Sequence, residues 1–215
     1  MSEEYQYDVV VVGGGPAGSS AAWAAAKNGI KVALIEKEGS IAETVRTSGV
    51  TWIQNIKEFG IPENCYNPIK NFSFCSPNNE VTISDSVPRA AVLDVRKTYR
   101  WLANEAEKEG ADIFIKTSIN DVIKNDNGDI VGVSGTGPKG EITFRSKIII
   151  DASGFSSTIC KAMGFATQWE RFGAGAEWEV KAEQVDSETW WLMVGQQYSP
   201  AGYAWIFPLG DDIVR

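Results

Sequence analysis

Four consecutive valines run directly into a glycine cluster, and this junction constrains the fold more than any other feature of the sequence. Residues 9–12 are all β-branched, which is typical of a strand buried on both faces of a parallel sheet. Residues 13–18 read Gly-Gly-Gly-Pro-Ala-Gly, and residues 19–28 are small and helix-compatible up to a stop at Gly29. A second apolar run follows at 30–35. The pattern predicts a strand, a tight turn, a helix and a second parallel strand.

The glycines of this unit have physical tasks in dinucleotide binding. Gly13 permits the tight turn, Gly15 lets the backbone approach a pyrophosphate, and Gly18 lets the helix lie close against the strands. Pro16 and Ala17 complete the turn, and the helix N-terminus offers free N–H groups and a partial positive charge to phosphates. The spacing predicts an adenine dinucleotide site.

Glu36 closes this unit at the end of the second strand, and Lys37 follows it. A carboxylate at this place accepts hydrogen bonds from ribose hydroxyls and repels a 2′-phosphate, which disfavours NADP. Glycine clusters also occur in ordinary turns. An ordinary turn, however, does not require the strand, the glycines, the helix and the acidic end to fall in register within about 30 residues.

Composition excludes several other classes of site. The chain has no histidine, and its three cysteines are too widely separated for a CxxC pair, so we expect no metal site. A net charge of −8 disfavours nucleic acid as a partner. The N-terminus lacks the basic region of a signal peptide, and no segment reaches the ~20 apolar residues of a membrane helix. We therefore expect a cytoplasmic protein with at most peripheral membrane contact.

The middle of the chain shows a helix followed by hairpin signals. The pattern predicts Asp94 as the N-cap of an amphipathic helix that stops at Gly110, with Arg96 in its first turn. Three short alternating runs then cover 119–144 and are joined by Gly-containing turns, which predicts a three-stranded meander. A β-branched run resumes at 147–150 and leads into a turn of small residues.

Together, these features resemble the FAD-binding fold of the glutathione-reductase-like class 2 flavoproteins. The resemblance rests on the 13–36 unit, Arg96 at the head of a helix, the meander and the Asp-Ala-Ser-Gly turn at 151–154. This group includes aromatic hydroxylases, flavin halogenases and geranylgeranyl reductases. The resemblance implies an α/β fold in which a Rossmann-like FAD-binding domain with a three-stranded β-meander is interleaved with a β-rich substrate domain.

The resemblance also implies roles for individual residues in FAD binding. Glu36 would bind the adenosine ribose, Arg96 would lie near the pyrophosphate or flavin, and the backbone about Ile119 would border the adenine. The turn from Asp151 to Gly154 would close over the cofactor. FAD is the cofactor that these assignments imply.

Residues 199–208 select the geranylgeranyl reductases among these relatives. Their sequence, SPAGYAWIFP, is similar to the P-x-x-Y-x-W-x-F-P signature of that family. Tyr203, Trp205 and Phe207 recur with period two, so the three rings project from one face of a strand as an apolar wall. A sheet face packed in its own core would show the same pattern. With the signature present, we assign the rings to an apolar substrate.

Residues 45–49, VRTSG, resemble the V-R-C-G stretch that approaches the flavin in this family. Thr47 occupies the position at which many members carry a cysteine, so a thiol cannot act there. Thr47 and Ser48 still offer hydroxyl and backbone groups to a cofactor, and Arg46 belongs to the same predicted site. The resemblance leaves the catalytic residue unassigned.

We expect an FAD-binding domain over 1–60 and 88–165 and a substrate domain over 61–87 and 166–215. Members of the family are longer, and a Gly-Asp segment that clasps the flavin normally follows a strand such as the one expected at 211–215. We therefore expect the substrate domain and the flavin site to be incomplete in this sequence.

The resemblance implies an FAD-dependent oxidoreductase that reduces C=C bonds in isoprenoid (geranylgeranyl) chains of membrane-lipid precursors. NAD(P)H or ferredoxin would be the external electron donor, and Tyr203 is a hypothesis for the proton donor. A flavin-dependent monooxygenase or halogenase on the same fold, or an inactive fragment, are the alternatives. A simple NAD-dependent dehydrogenase is disfavoured, because strands and helices do not continue to alternate after the first unit.

Overall fold

The computed structural model describes residues 3–165 and 169–215. Its α-helices are α1 (Pro16–Lys27), α2 (Ile53–Phe59), α3 (Val95–Lys108) and α4 (Thr158–Ala162). Its strands are β1 (Glu3–Gln6), β2 (Val9–Val12), β3 (Val32–Ile35), β4 (Val50–Trp52), β5 (Tyr66–Ile69), β6 (Asn71–Cys75), β7 (Glu80–Ser84), β8 (Ala90–Leu93), β9 (Asp112–Phe114), β10 (Ser118–Lys124), β11 (Ile130–Gly137), β12 (Gly140–Arg145), β13 (Ile148–Asp151), β14 (Val180–Lys181), β15 (Thr189–Val194), β16 (Tyr203–Ile206), β17 (Pro208–Gly210) and β18 (Ile213–Val214).

The chain divides into two compact units. Unit 1 comprises Met1–Val45 and Tyr99–Phe172, and unit 2 comprises Arg46–Thr98 and Gly173–Arg215. These bounds differ from those of the predicted FAD-binding and substrate domains, and the assignment of those two roles stays a prediction.

A parallel sheet with strand order β13-β2-β3-β9 forms the centre of unit 1. Val10 and Val11 point to opposite faces of β2 and both are fully buried, as the run of valines predicts. Ala22 and Ala26 of α1 pack against one of these faces. The predicted Rossmann-like α/β unit is therefore confirmed, including the return of the chain to a parallel strand, β13.

Helix α1 begins earlier than expected. The sequence predicted a helical run from Ser19, whereas α1 starts at Pro16. Proline suits the first helical position because its φ is already helical and its missing N–H has no partner there. Helix α3 follows the prediction, since the Lys97 N–H donates to the Asp94 carboxylate at 3.0 Å and Gly110 adopts φ 103° just beyond the helix.

The predicted meander forms the second sheet of unit 1. Strands β10, β11 and β12 pair antiparallel in sequence order, and β1 extends the sheet by pairing parallel to β12. The sequence did not predict β1, because three of its four side chains are polar. Tyr5 nevertheless stacks on Phe144 at a ring distance of 5.4 Å, which anchors this edge to the core.

Unit 2 consists mainly of antiparallel strands in three sheets, with orders β16-β15-β6-β7, β4-β8-β5 and β14-β18-β17. Its core contains Ile69, Ala90, Val92 and Phe207. One local prediction is wrong: the last five residues are not a continuous strand. Asp211 and Asp212 have φ of 51° and 58° and form the turn between β17 and β18. Short polar side chains tolerate this left-handed conformation, which breaks the strand.

Candidate functional site

The turn after β2 requires glycine at two positions. Gly13 has φ 114°, and a Cβ there would overlap the carbonyl group of Ala152, which follows β13. A Cβ on Gly18 would overlap the carbonyl oxygen of Gly13. Both glycines therefore let three backbone segments meet at the carboxyl ends of parallel strands, the usual place for a ligand in such sheets.

Gly15 differs from these two glycines because open space lies beside it. A Cβ at Gly15 would meet no atom within 4 Å. Gly15 is also the N-cap of α1, which has no side-chain cap and no acidic residue in its first turn. The first N–H groups of α1, at Ala17 and Gly18, have no acceptor within the helix, and the open space at Gly15 gives a phosphate room beside this helix start. This geometry fits the pyrophosphate of a dinucleotide.

The Glu36 carboxylate is held by the backbone on both of its oxygens. The Gly14 N–H donates to Oε2 at 2.7 Å, and the Glu38 N–H donates to Oε1 at 2.9 Å. These bonds fix the carboxylate at the end of β3 and leave further lone pairs for ribose hydroxyls. The sequence motif contained Gly14 but did not reveal that its N–H orients Glu36.

The Asp151 carboxylate accepts hydrogen bonds from the turn that follows it. Ser153 donates to Oδ1 through both its N–H and its hydroxyl, and the N–H groups of Ile159 and Cys160 donate to Oδ2 at 3.0 and 2.9 Å. Burial opposes ionisation, but these hydrogen bonds outweigh it and lower the pKa of Asp151. The side chain therefore shapes the 151–154 turn and the start of α4.

The remaining predicted residues of unit 1 differ in exposure. Ile119 is buried in the core with Phe144, whereas Lys37 is exposed beside Glu36. Gly154 has φ 63° and starts a single 3-10 turn. The structure thus brings together most of the predicted FAD residues of this unit, namely Gly13, Gly15, Pro16, Ala17, Gly18, Glu36, Asp151 and Gly154.

The other predicted cofactor residues, Arg46, Thr47, Ser48 and Arg96, belong to unit 2. Arg96 pairs with Glu179 at 2.9 Å. The Ser48 carbonyl accepts a hydrogen bond from Arg215 at 3.1 Å, and Arg215 also pairs with Glu179 at 2.6 Å. Sequence reasoning missed Glu179 and Arg215, since no local pattern links residues so far apart in the chain.

One face of the sheet β16-β15-β6-β7 is apolar from edge to edge. The pairing places Trp205 beside Leu192, Leu192 beside Phe74 and Phe74 beside Val81. We call this surface the apolar sheet face. Its nine side chains are Phe72, Phe74, Val81, Ile83, Trp190, Leu192, Val194, Tyr203 and Trp205.

The three rings of the predicted apolar wall, which we now call the aromatic wall, become more buried from Tyr203 to Phe207. Tyr203 is 53% exposed, Trp205 is partly buried and Phe207 is only 4% exposed. The Trp205 ring lies 5.9 Å from the Tyr203 ring and 6.0 Å from the Phe207 ring. The period-two pattern therefore joins the three rings, but Phe207 belongs to the core of unit 2.

A cleft of about 520 Å³ in unit 2 adjoins the exposed part of this wall. Apolar side chains dominate its lining, with Trp178 and Val180 on one segment and Tyr203 and Trp205 on another. Glu177 and the buried Arg215 also line the cleft. Its size and lining suit an apolar molecule.

Comparison with known proteins places this geometry in a family. Residues 8–198 match the family described as FAD dependent oxidoreductase. The chain belongs to this family. The match confirms the prediction that the cofactor is FAD. In unit 1, the glycine turn at 13–18, the uncapped N-terminus of α1 and the Glu36 carboxylate form the site that this cofactor needs, and we call this site the cofactor cradle.

Two individual relatives show which kind of FAD-dependent oxidoreductase the chain resembles. The chain is 35% identical over 212 residues to digeranylgeranylglycerophospholipid reductase of Methanocaldococcus jannaschii, covering 95% of this chain and 53% of that protein. The solved structure of a geranylgeranyl bacteriochlorophyll reductase-like protein from Thermoplasma acidophilum matches at 28% identity with a TM-score of 0.81, covering 98% of this chain and 55% of that one. The predicted resemblance to geranylgeranyl reductases is confirmed.

The chain spans about half the length of the curated relatives that it matches. Its fold also occurs in other flavoproteins, since the myxobacterial chondrochloren halogenase matches at 17% identity with a TM-score of 0.68, over 98% of this chain and 52% of that one. A likeness at this identity shows the fold alone. Among the described residues, no helix is both long and apolar enough to cross a membrane, and no group of ligands suited to a metal ion occurs.

Proposed function

We propose that this chain carries the cofactor cradle and part of the substrate surface of a flavin-dependent reductase. The reaction would saturate C=C bonds in isoprenoid chains, such as geranylgeranyl groups of membrane-lipid precursors. The apolar sheet face carries this proposal. Phe72, Trp190, Leu192 and Trp205 pack against the core of unit 2, but its other five side chains are exposed, and exposed apolar side chains in an FAD-binding chain suit a long hydrocarbon substrate. The names of the reductase relatives support the same substrate class.

In this proposal the residues of unit 1 hold the ADP half of FAD. The open space at Gly15 and the first N–H groups of α1 receive the pyrophosphate, and Glu36 accepts the ribose hydroxyls. The backbone about Ile119 borders the adenine. Asp151 acts indirectly, by holding the turn that ends at Gly154. The remaining members of the proposed cofactor site are Gly13, Pro16, Ala17, Gly18, Lys37, Arg46, Thr47, Ser48 and Arg96.

Held by the glycine turn, the start of α1 and Glu36, FAD in its reduced form would supply a hydride to one alkene carbon. The protein must then orient an unactivated double bond, exclude water and deliver a proton to the second carbon. The rings of Tyr203 and Trp205 offer a flat apolar surface for the chain, and Phe207 supports them from the core. Tyr203 is the proposed proton donor, because it carries the phenolic hydroxyl of this exposed aromatic surface. A Tyr203→Phe variant with unchanged turnover would exclude that role.

We also propose a peripheral contact with the membrane for a cytoplasmic protein, since the substrate is a lipid precursor. Cys65, Cys75 and Cys160 are free thiols, which agrees with a reducing compartment. NAD(P)H or ferredoxin would reduce the flavin from outside.

The test begins with the purified chain and its absorption spectrum. We expect a yellow protein with bound FAD that, after chemical reduction of the flavin, adds a hydrogen pair to double bonds of a geranylgeranyl lipid, measured by mass spectrometry. A Gly15→Ala variant serves as the matched control for cofactor dependence. Rapid oxygen-dependent consumption of NAD(P)H would instead support a monooxygenase or halogenase. A folded chain that binds no flavin would refute the proposal.

A further inference from the structure

Arg215 places a charged guanidinium group inside unit 2. Its side chain is only 1% exposed. Nη1 donates to the Ser48 carbonyl at 3.1 Å and to the Leu93 carbonyl at 3.3 Å, and Nη2 donates to Glu179 Oε1 at 2.6 Å. One side chain thus ties together three segments that are far apart in sequence: the 46–49 segment, the end of β8 and the segment before β14.

The arrangement depends on arginine rather than on positive charge alone. A buried charge is tolerated only when hydrogen bonds and an opposite charge compensate its lost hydration. The planar fork of Arg215 reaches two carbonyls and one carboxylate in different directions, which the single ammonium group of lysine cannot reproduce. Glu179 is shared, since its carboxylate also binds Arg96 Nη1 at 2.9 and 3.1 Å.

Gly49 lies against this guanidinium, where a side chain would not fit. It has φ 79°, and a Cβ there would lie 2.9 Å from Arg215 Nη1 and 2.8 Å from the Leu93 carbonyl oxygen. The Leu93 N–H donates to the Gly49 carbonyl at 2.8 Å. The 46–49 segment therefore takes its local conformation from contacts with β8 and Arg215 as well as from its own sequence.

We infer that Arg215 is a positioning residue for FAD, which fixes the 46–49 segment and, through Glu179, the Arg96 side chain. This inference rests on the proposed function, in which both of these elements contact the cofactor. Arg215 itself need not touch FAD. Its effect is to hold the Thr47 and Ser48 backbone and the Arg96 guanidinium in one arrangement before the cofactor binds, which lowers the cost of ordering them.

The experiment compares Arg215→Lys with the wild-type chain. Amide hydrogen exchange without cofactor should be faster at Gly49 and Leu93 in the variant and unchanged in β2. The dissociation constant for FAD should rise on the order of tenfold, as expected for the loss of hydrogen bonds from a charged donor. The midpoint potential of the bound FAD should become more negative, because misplaced donors stabilise the reduced flavin less.

Arg89→Lys is the matched control, since Arg89 lies in the same unit and pairs with Asp85 but is 62% exposed. It should change none of the three measurements. If Arg215→Lys does not fold, Glu179→Gln keeps the arginine and removes its carboxylate, and it should shift all three in the same direction by less.

The outcomes separate the inference from the proposed function. Exchange at Gly49 that equals the wild-type rate would overturn the inference, and so would faster exchange with unchanged FAD affinity and potential. A wild-type chain that folds but binds no FAD would instead refute the proposed function, while the exchange measurement would still report whether Arg215 fixes Gly49.

Discussion

The backbone N–H of Gly14 donates to the Glu36 carboxylate at 2.7 Å, so the glycine turn and the ribose-binding residue hold each other in place. We expect Glu36→Gln to weaken both the fold and cofactor binding. The amide can accept only through one end, so one backbone N–H loses its acceptor at a cost of about 1–3 kcal/mol in the free energy of unfolding. FAD affinity should fall about tenfold or more, measured by fluorescence titration.

Glu43→Gln provides the control for this prediction. Glu43 also accepts a hydrogen bond from a backbone N–H, that of Gly39 at 2.6 Å, but it is exposed. We expect a change in stability within about 0.5 kcal/mol and no change in FAD affinity. Equal effects of the two substitutions on FAD binding would contradict the role of Glu36.

Gly13 and Gly15 should respond to alanine in opposite ways. Gly13→Ala should lower the melting temperature sharply, because its φ of 114° is strained for alanine and its Cβ would overlap the Ala152 carbonyl. Gly15→Ala has open space for its Cβ and should fold with little loss, yet the methyl group would occupy the space of the pyrophosphate. Thermal unfolding and FAD titration of both variants test this pair, and normal FAD binding by Gly15→Ala would contradict the placement of the pyrophosphate.

The features that the sequence predicted correctly are local. The valines of β2, the glycine turn and the stop at Gly110 each lie within one short window, where periodicity and backbone preference decide the outcome. The meander follows for the same reason, since Asn125 Oδ1 accepts from the N–H groups of Asn127 and Asp129 and closes its first turn.

The features that the sequence missed depend on tertiary contacts. Strand β1 is stable because Tyr5 stacks on Phe144, and a polar run of residues gives no sign of that partner. Arg215 acquires its role only when folding brings Ser48 and Glu179 beside it. Phe207 has the same spacing as Tyr203 and Trp205, but its burial is decided by Ile69 and Val92 of neighbouring strands.

The lowered pKa of Asp151 predicts that the free energy of unfolding depends on pH. Its pKa is lowered in the folded protein, so its ionised form contributes stability above the unfolded pKa of ~4, and this contribution disappears as the pH falls through the folded value. Asp151→Asn should lower the free energy of unfolding by about 1–3 kcal/mol at neutral pH, because an amide cannot accept all four hydrogen bonds. Denaturant unfolding should show that the difference between variant and wild type shrinks below about pH 4.

Asp129→Asn is the control for removing a carboxylate, since Asp129 lies in an exposed turn of the meander. Its effect on the free energy of unfolding at neutral pH should stay within about 0.5 kcal/mol. A difference for Asp151→Asn that did not change with pH would argue against ionisation as the source of its stabilising effect.

Because Phe207 is buried and Tyr203 is half exposed, substitutions at the two ends of the aromatic wall should affect different properties: stability at Phe207 and substrate binding at Tyr203. Phe207→Ala should lower the free energy of unfolding by about 3–5 kcal/mol, because it removes a ring from the core of unit 2. Tyr203→Ala should lower it by only about 1 kcal/mol, since its ring is half exposed and contacts the Trp205 ring, but it should raise the KM for a geranylgeranyl lipid. Exposed Val87→Ala, which lies off the apolar sheet face, should change neither quantity. Unchanged KM in Tyr203→Ala, with stability intact, would show that the exposed end of this wall does not bind the isoprenoid chain.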